Sequence, residues 1–268
     1  MNILVCVKQV PDTTEVKINQ ETGTLIRTGV PSVLNPFDVF ALEAAYFIKE
    51  NVPGTKVVAV AMGPKSAADV LREAMAIVAD QAYLLTDSAF CGSDTLATAY
   101  ILSSAIKKIE TKEGAFDMIF FGNQAIDGGT AQVGPQVSEF LKRPMISSVT
   151  DVKKVNTKSL ELEQKRNAVG CIAEISLPCI CTFSDWKQET HPATIRKLLE
   201  VRDYNPIVYG KHDLNQMDPN RIGLKGSHTK VVRTFVPEKE KKGILISNGS
   251  SSEMAEKLLD VLNEARLL

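Results

Sequence analysis

With 268 residues, 44% of them hydrophobic and 24% charged, the chain has the composition of a folded protein with a substantial core. Its 31 Lys and Arg against 32 Asp and Glu leave a net charge of −1, which supplies no electrostatic footprint for nucleic acid or an anionic membrane. No apolar run approaches the ~18 residues that span a bilayer. The start MNILVCVKQVPD lacks the parts of a signal peptide, so a cytoplasmic protein without membrane insertion is expected.

Short apolar runs alternate with helix-like stretches over the first two-thirds. Ile3 to Val7 has strand length, and Thr14 to Arg27 suggests a hairpin turning at Asn19 to Gly23. Asn35-Pro36 opens a helix whose stripe is Phe37, Phe40, Ala41, Ala44, Ala45 and Ile48. Strands over Lys56 to Ala61, Gln81 to Leu85 and Asp117 to Phe121 then alternate with helices over Ser66 to Ala79, Asp94 to Ile109 and Thr130 to Leu141. This pattern predicts an α/β fold, a Rossmann-like parallel sheet flanked by helices. Beyond residue 145 four further strands are expected, over Ser147 to Val155, Ser159 to Gln164, Gly170 to Ile175 and Ile180 to Phe183, extending or edging the same sheet. From Asp185 the chain reads as an irregular arm punctuated by Pro and charge. It ends in a helix over Gly249 to Leu268, with Ser250 to Ser252 as caps and Met254, Leu258, Leu259, Val261 and Leu262 as an apolar face. Such an arm suits docking on a partner.

Five cysteines without CxxC spacing and three histidines without HxxxH spacing argue against a metal site built by this chain. Cys179 and Cys181 share one face of a strand and read as buried free thiols. His191 reads as a surface residue, and Trp186, in the same loop, as an interface contact.

In an open parallel sheet, ligands sit beyond the carboxyl ends of the strands. The most informative loop there is Gly122 to Pro135, GNQAIDGGTAQVGP, which follows a strand and opens a helix. Gly128 and Gly129 permit close backbone approach, and Thr130 as a cap would leave amides aimed at an anion, the makings of a phosphate cradle. A plain glycine-rich connection is the alternative. Asp127 fits either a ribose hydroxyl or a helix cap; Lys8 fits phosphate or solvent; Asn35 and Asp38 fit a ligand or an N-cap with Pro in the first turn. Neither a GxGxxG nor a complete Walker A motif is present. These residues by themselves support an adenine nucleotide or dinucleotide binder.

Six segments in order resemble the β subunit of the electron transfer flavoproteins: VKQVPDT (7–13), NPFDVFALEAA (35–45), MGP (62–64), GSDTLATA (92–99), GNQAIDGGTAQVGP (122–135) and IGLKGSHTKVV (222–232). The resemblance implies a subunit that pairs with a homologous α subunit carrying a flavin. In simple carriers of this family the β subunit holds AMP and its loop carries successive acids. In the bifurcating kind a second FAD takes that place, and this chain resembles the latter, with Gly129 where an Asp is common. By that likeness Cys6, Asn35, Phe37, Asp38 and Met62 would line the adenosine pocket. Gln124, Ala125, Asp127, Gly128, Gly129, Thr130, Gln132, Val133 and Gly134 would hold ribose and phosphates, and Val10, Pro11 and Asp12 would edge the flavin ring. NADH would be the hydride donor, with ferredoxin or flavodoxin and, through the α-subunit FAD, a flavin dehydrogenase (acyl-CoA dehydrogenase-like or other) as acceptors. No catalytic acid or base is implied. The implied domains are 1–184 for nucleotide binding, 185–202 as a partner-recognition loop with Ile195 near its apolar anchor, and 203–268 as an arm docking on the α subunit. His191-Pro192-Ala193-Thr194 departs from the family's Arg-Tyr-Pro-like form there.

Overall fold

The computed structural model describes residues 1–12, 17–18, 25–26, 31–166, 169–214, 217–230, 232 and 243–267. The chain divides into two units, 1–232 and 233–268.

Among the described residues, nine strands of the first unit form one sheet. In chain order they are β1 (Asn2–Val7), β6 (Lys56–Met62), β7 (Gln81–Leu85), β8 (Met118–Gly122), β9 (Met145–Val155), β10 (Ser159–Arg166), β11 (Val169–Ser176), β12 (Cys179–Phe183) and β13 (Ile207–Tyr209). Two small antiparallel pairs stand apart: β2 (Gln9–Pro11) with β5 (Ser32–Leu34), and β3 (Lys17–Ile18) with β4 (Leu25–Ile26). The β3–β4 pair matches the expected hairpin; its turn lies outside the described residues.

The sheet order is β11-β10-β9-β12-β8-β1-β6-β7-β13. Pairing is parallel from β13 to β9 and antiparallel from β9 to β11. Alternation along the inner strands sends side chains to both faces. Ile3, Val5 and Val7 join one core with the buried residues of α1 (Pro36–Asn51) and α2 (Ala68–Ile77), while Leu4 and Cys6 join the other with α3 (Thr95–Glu113) and α4 (Val133–Leu141). Cys179 and Cys181 are buried together on the first face.

The order places a topological switch at β1. The chain first builds outward through β6 and β7, then returns by α3 to lay β8 on the other flank of β1. The C-terminal ends of β1 and β8 therefore diverge into connections on opposite faces, which opens a crevice between them.

Two expectations need correction. The stretch after Asp185 is not irregular throughout: α5 (Ile195–Val201) packs beside α2, and β13 adds a parallel edge strand to β7. Three residues of strand between polar turns give too short a pattern to be seen in the chain. Trp186 is not an interface residue within this chain's surface but is 7% exposed, packed against Phe47 and Phe183. In the second unit, α6 (Ser251–Glu264) begins with a reciprocal capping box between Ser250 and Glu253, as the serine cluster predicts.

Candidate functional site

The crevice is held by one buried polar knot. α1 starts where β5 ends because Pro36 presets the first helical φ, and Asn35 stands before it. Asn35 does not use its side chain as a helix cap. Its Nδ2 donates to Asp38 Oδ1 at 2.9 Å and to the Gln124 carbonyl at 2.9 Å, and its Oδ1 accepts from the Ile126 amide at 3.2 Å. Asp38 in turn accepts from the Lys8 amide at 2.7 Å and the Gly122 amide at 3.1 Å. One carboxylate thus ties the ends of β1 and β8 to α1. Burial pushes the Asp38 pKa up from 3.8 to about 7, against the pull of Asn35, the two amides and the Lys8 charge. Cys6, buried at the end of β1, has its thiol pushed well up by burial and by the nearby Asp38 charge.

Above the knot runs the glycine-rich loop. Gly128 and Gly129 both donate to the Ala125 carbonyl, at 3.2 and 2.7 Å. Their amides therefore do not form the expected anion cradle. Nor is Thr130 the helix cap: α4 begins at Val133, and Gln132 occupies the N-cap without a side-chain bond. The reason is local. After the Ala125 turn the chain passes through left-handed Gly129 (φ 61°) and Ala131 (φ 53°) before it can enter a helix. Ala131 has a Cβ, so that conformation costs on the order of 1 kcal/mol. The amides left without a carbonyl partner among the described residues are those of Thr130, Ala131, Gln132, Val133 and Gly134. The unpartnered amides thus lie one turn later than the glycine pair, at the start of α4, where an N-terminal helix dipole favours negative charge.

The rest of the predicted set is divided. Asp127 neither caps a helix nor stands free: Lys8 Nζ binds both its oxygens, at 2.7 and 2.9 Å. Gln132 accepts from Thr95 Oγ1 at 2.8 Å, which draws together the N-termini of α3 and α4. Gly134 is buried, with its α-carbon facing the Thr182 methyl. Val133 and Met62 are half-buried against the core beneath α3. Phe37 is half-buried and meets Phe40 edge-on at 6.2 Å. Val10 is fully buried in β2, while Pro11 and Asp12 follow it half-exposed, the Asp12 amide donating to Pro31 at 2.8 Å. Among the described residues, no hydrogen bond joins Met62, Phe37 or Val10 to the loop.

Three contributors carry no clear signal in the sequence. Lys8, which by position fits phosphate or solvent, pairs with Asp127. Gly122 must lack a side chain, since a Cβ would stand 2.3 Å from Asp38 Oδ1. Thr95 looks in the sequence like part of a helix start; its place beside Gln132 depends on two helices meeting. A cavity of about 550 Å³ lies elsewhere, between α1, α2 and residues 190–202.

Fold and crevice together define a Rossmann-like α/β protein with a helix N-terminus presented at the sheet's switch point. Residues 22–197 match the family model of the electron transfer flavoprotein domain. The chain belongs to the electron transfer flavoprotein family. Over all of both chains it is 41% identical to the caffeyl-CoA reductase-Etf complex subunit CarD of Acetobacterium woodii. It is 42% identical, again over all of both chains, to the electron transfer flavoprotein subunit beta of Thermoanaerobacterium thermosaccharolyticum. To protein FixA of Azorhizobium caulinodans it is 36% identical over 97% of this chain and 92% of FixA. Among the described residues no helix is long and apolar enough to cross a membrane.

Proposed function

We propose that this chain is the β subunit of an electron transfer flavoprotein that binds FAD in the β1–β8 crevice and pairs with a flavin-bearing α subunit. In this reading, which places the complex in the cytoplasm, electrons enter from NADH and leave in two directions. One goes to ferredoxin or flavodoxin, the other through the α-subunit flavin to a dehydrogenase. A bound FAD would supply the hydride acceptance and the one-electron steps.

One observation carries the choice of FAD. A Cβ at Gly128 or Gly129 would meet nothing within 4 Å, so the loop leaves open ground beside the amide row of α4. The loop's single acid, Asp127, is already neutralised by Lys8. Room and cancelled charge suit a diphosphate better than a crowded acidic loop would. The chain's own part is then to bind and orient. The free amides of Thr130 to Gly134 would take the phosphates, Asn35 and Asp38 would brace the loop that holds the adenosine, and the strained Ala131 fits a backbone kept in shape for a ligand. The full-length likeness to a subunit of a caffeyl-CoA reductase-Etf complex supports delivery to a flavin dehydrogenase.

The test is a flavin count on the chain co-purified with its α subunit. Two flavins per heterodimer, reduced by NADH, support the proposal. One flavin with bound AMP would make the protein a simple electron carrier and overturn the FAD and NADH parts together.

A further inference from the structure

Residues 185–204 leave the sheet at β12 and return to it before β13. Their start is pinned: Trp186 is in the core, the Lys187 amide donates to the Thr150 carbonyl at 3.1 Å, and Gln188 Nε2 donates to Asp151 at 2.6 Å. Their end is pinned by Arg72, whose Nε donates to the Tyr204 carbonyl at 2.9 Å. Between these, among the described residues, no hydrogen bond or ion pair of residues 192–203 reaches α1, α2 or the sheet. No residue of α5 is buried, and although α5 lies beside α2, a cavity of about 550 Å³ lies between this stretch, α1 and α2. The last tether before that free run is His191. Its amide donates to Glu43 Oε1 at 2.8 Å, its Nδ1 lies 3.1 Å from Glu43 Oε2, and its ring stacks on Tyr46 at 4.3 Å.

We propose that Glu43 and His191 form a proton-sensitive latch that holds residues 190–202 against α1 and loosens as the imidazole loses its charge. Glu43 is 2% exposed and both of its oxygens face His191. A charged ring gives that carboxylate a charge-assisted bond; a neutral ring gives at most an ordinary one. Histidine is the side chain suited to change charge between about pH 5 and 8.

Other charges face the same cavity. From α2 come Asp69, Arg72 and Glu73, and after α5 comes Arg202. Arg72 is engaged by Asp69 at 2.6 Å and by Tyr204, and Arg202 reaches toward Asp203, so neither replaces the imidazole. Glu73 has no ion pair among the described residues, and burial raises its pKa, so it is the competing titration to exclude. The latch stands on geometry and is independent of which cofactor the crevice holds. It adds a means by which pH alters how freely α5 presents the exposed Ile195 and Leu199.

The experiment is hydrogen exchange by mass spectrometry on the full chain with its co-purifying subunit, expressed as protection factors for peptides within residues 191–202. Protection in the wild type and in Glu73→Gln is expected to fall about fivefold between about pH 5.5 and 8. His191→Arg should stay protected without a slope, and His191→Gln should be poorly protected without one. A flat wild-type profile, a slope that survives in His191→Gln, or one abolished by Glu73→Gln overturns the latch. Because the His191 side chain is 47% exposed, its replacement leaves the core intact, and β1 peptides in the same digest verify this.

Discussion

The Gly122 amide donates to the Asp38 carboxylate at 3.1 Å, and a methyl group at Gly122 would stand 2.3 Å from that same carboxylate. The two residues come from opposite sides of the sheet's switch point, so the crevice stays closed at its base only while residue 122 has no side chain. The nearest other atoms are backbone, the Phe37 carbonyl carbon at 2.7 Å and the Asp38 nitrogen at 2.8 Å, which cannot rotate aside.

Gly122→Ala should therefore destabilise the fold by about 2–3 kcal/mol, the scale of overpacking against rigid neighbours. Urea unfolding of the purified protein measures it. A loss below about 0.5 kcal/mol would mean that α1 shifts freely against β8.

Gly128 and Gly134 should separate ligand effects from folding effects. Gly134→Ala brings a methyl to 2.6 Å from Thr182 Cγ2 and should cost about 1–3 kcal/mol. Gly128→Val meets open space, so its melting temperature without ligand should change little, while the content of bound adenine cofactor should drop severalfold. Cofactor retained at the wild-type level in Gly128→Val would move the ligand away from this loop.

Lys8 and Asp127 make a pair whose side chains are 48% and 32% exposed, which is worth under about 1 kcal/mol to the fold. Lys8→Met should thus unfold at nearly the wild-type denaturant concentration. It should still bind cofactor more weakly, because the Asp127 charge is left unbalanced beside the proposed phosphate site. The double variant Lys8→Met with Asp127→Asn should recover most of that loss. Cofactor content that drops equally in the single and double variants would show Lys8 touching the ligand directly.

Asp38 sets a pH dependence whose sign follows from its pKa. Folding raises it from 3.8 to about 7, so between those values the folded chain holds a proton that the unfolded chain has released. Stability from this group is full below about pH 4 and declines as pH rises to about 7. Asp38→Asn removes the titration. The margin by which wild type exceeds the variant in urea melts should shrink over that window. A margin that widens would show the three donors overcoming burial and keeping Asp38 ionised.

Much of this fold was legible in the chain. The strand runs from Ile3, Lys56, Gln81 and Asp117 and the stripe of Ala41, Ala44, Ala45 and Ile48 carry periodicity strong enough to name each element, because a buried parallel strand must be apolar on both faces. The loop from Gly122 to Pro135 stood out because glycine density after a strand is unusual. The chemistry of Asn35, Asp38 and Asp127 was visible as residue type but not as pairing.

What local sequence determined, then, was the succession of strands and helices and the loop in which a ligand would be sought. The capture of the Gly128 and Gly129 amides by the Ala125 carbonyl, three and four residues back, is a local turn that residue type did not announce, whereas how the loop is anchored was decided by tertiary structure. It alone joined Asp38 to Gly122 and Lys8 to Asp127 across 84 and 119 residues of chain. Those contacts depend on the order in which β1 and β8 lie side by side, and a residue's own neighbours in sequence hold no record of that order.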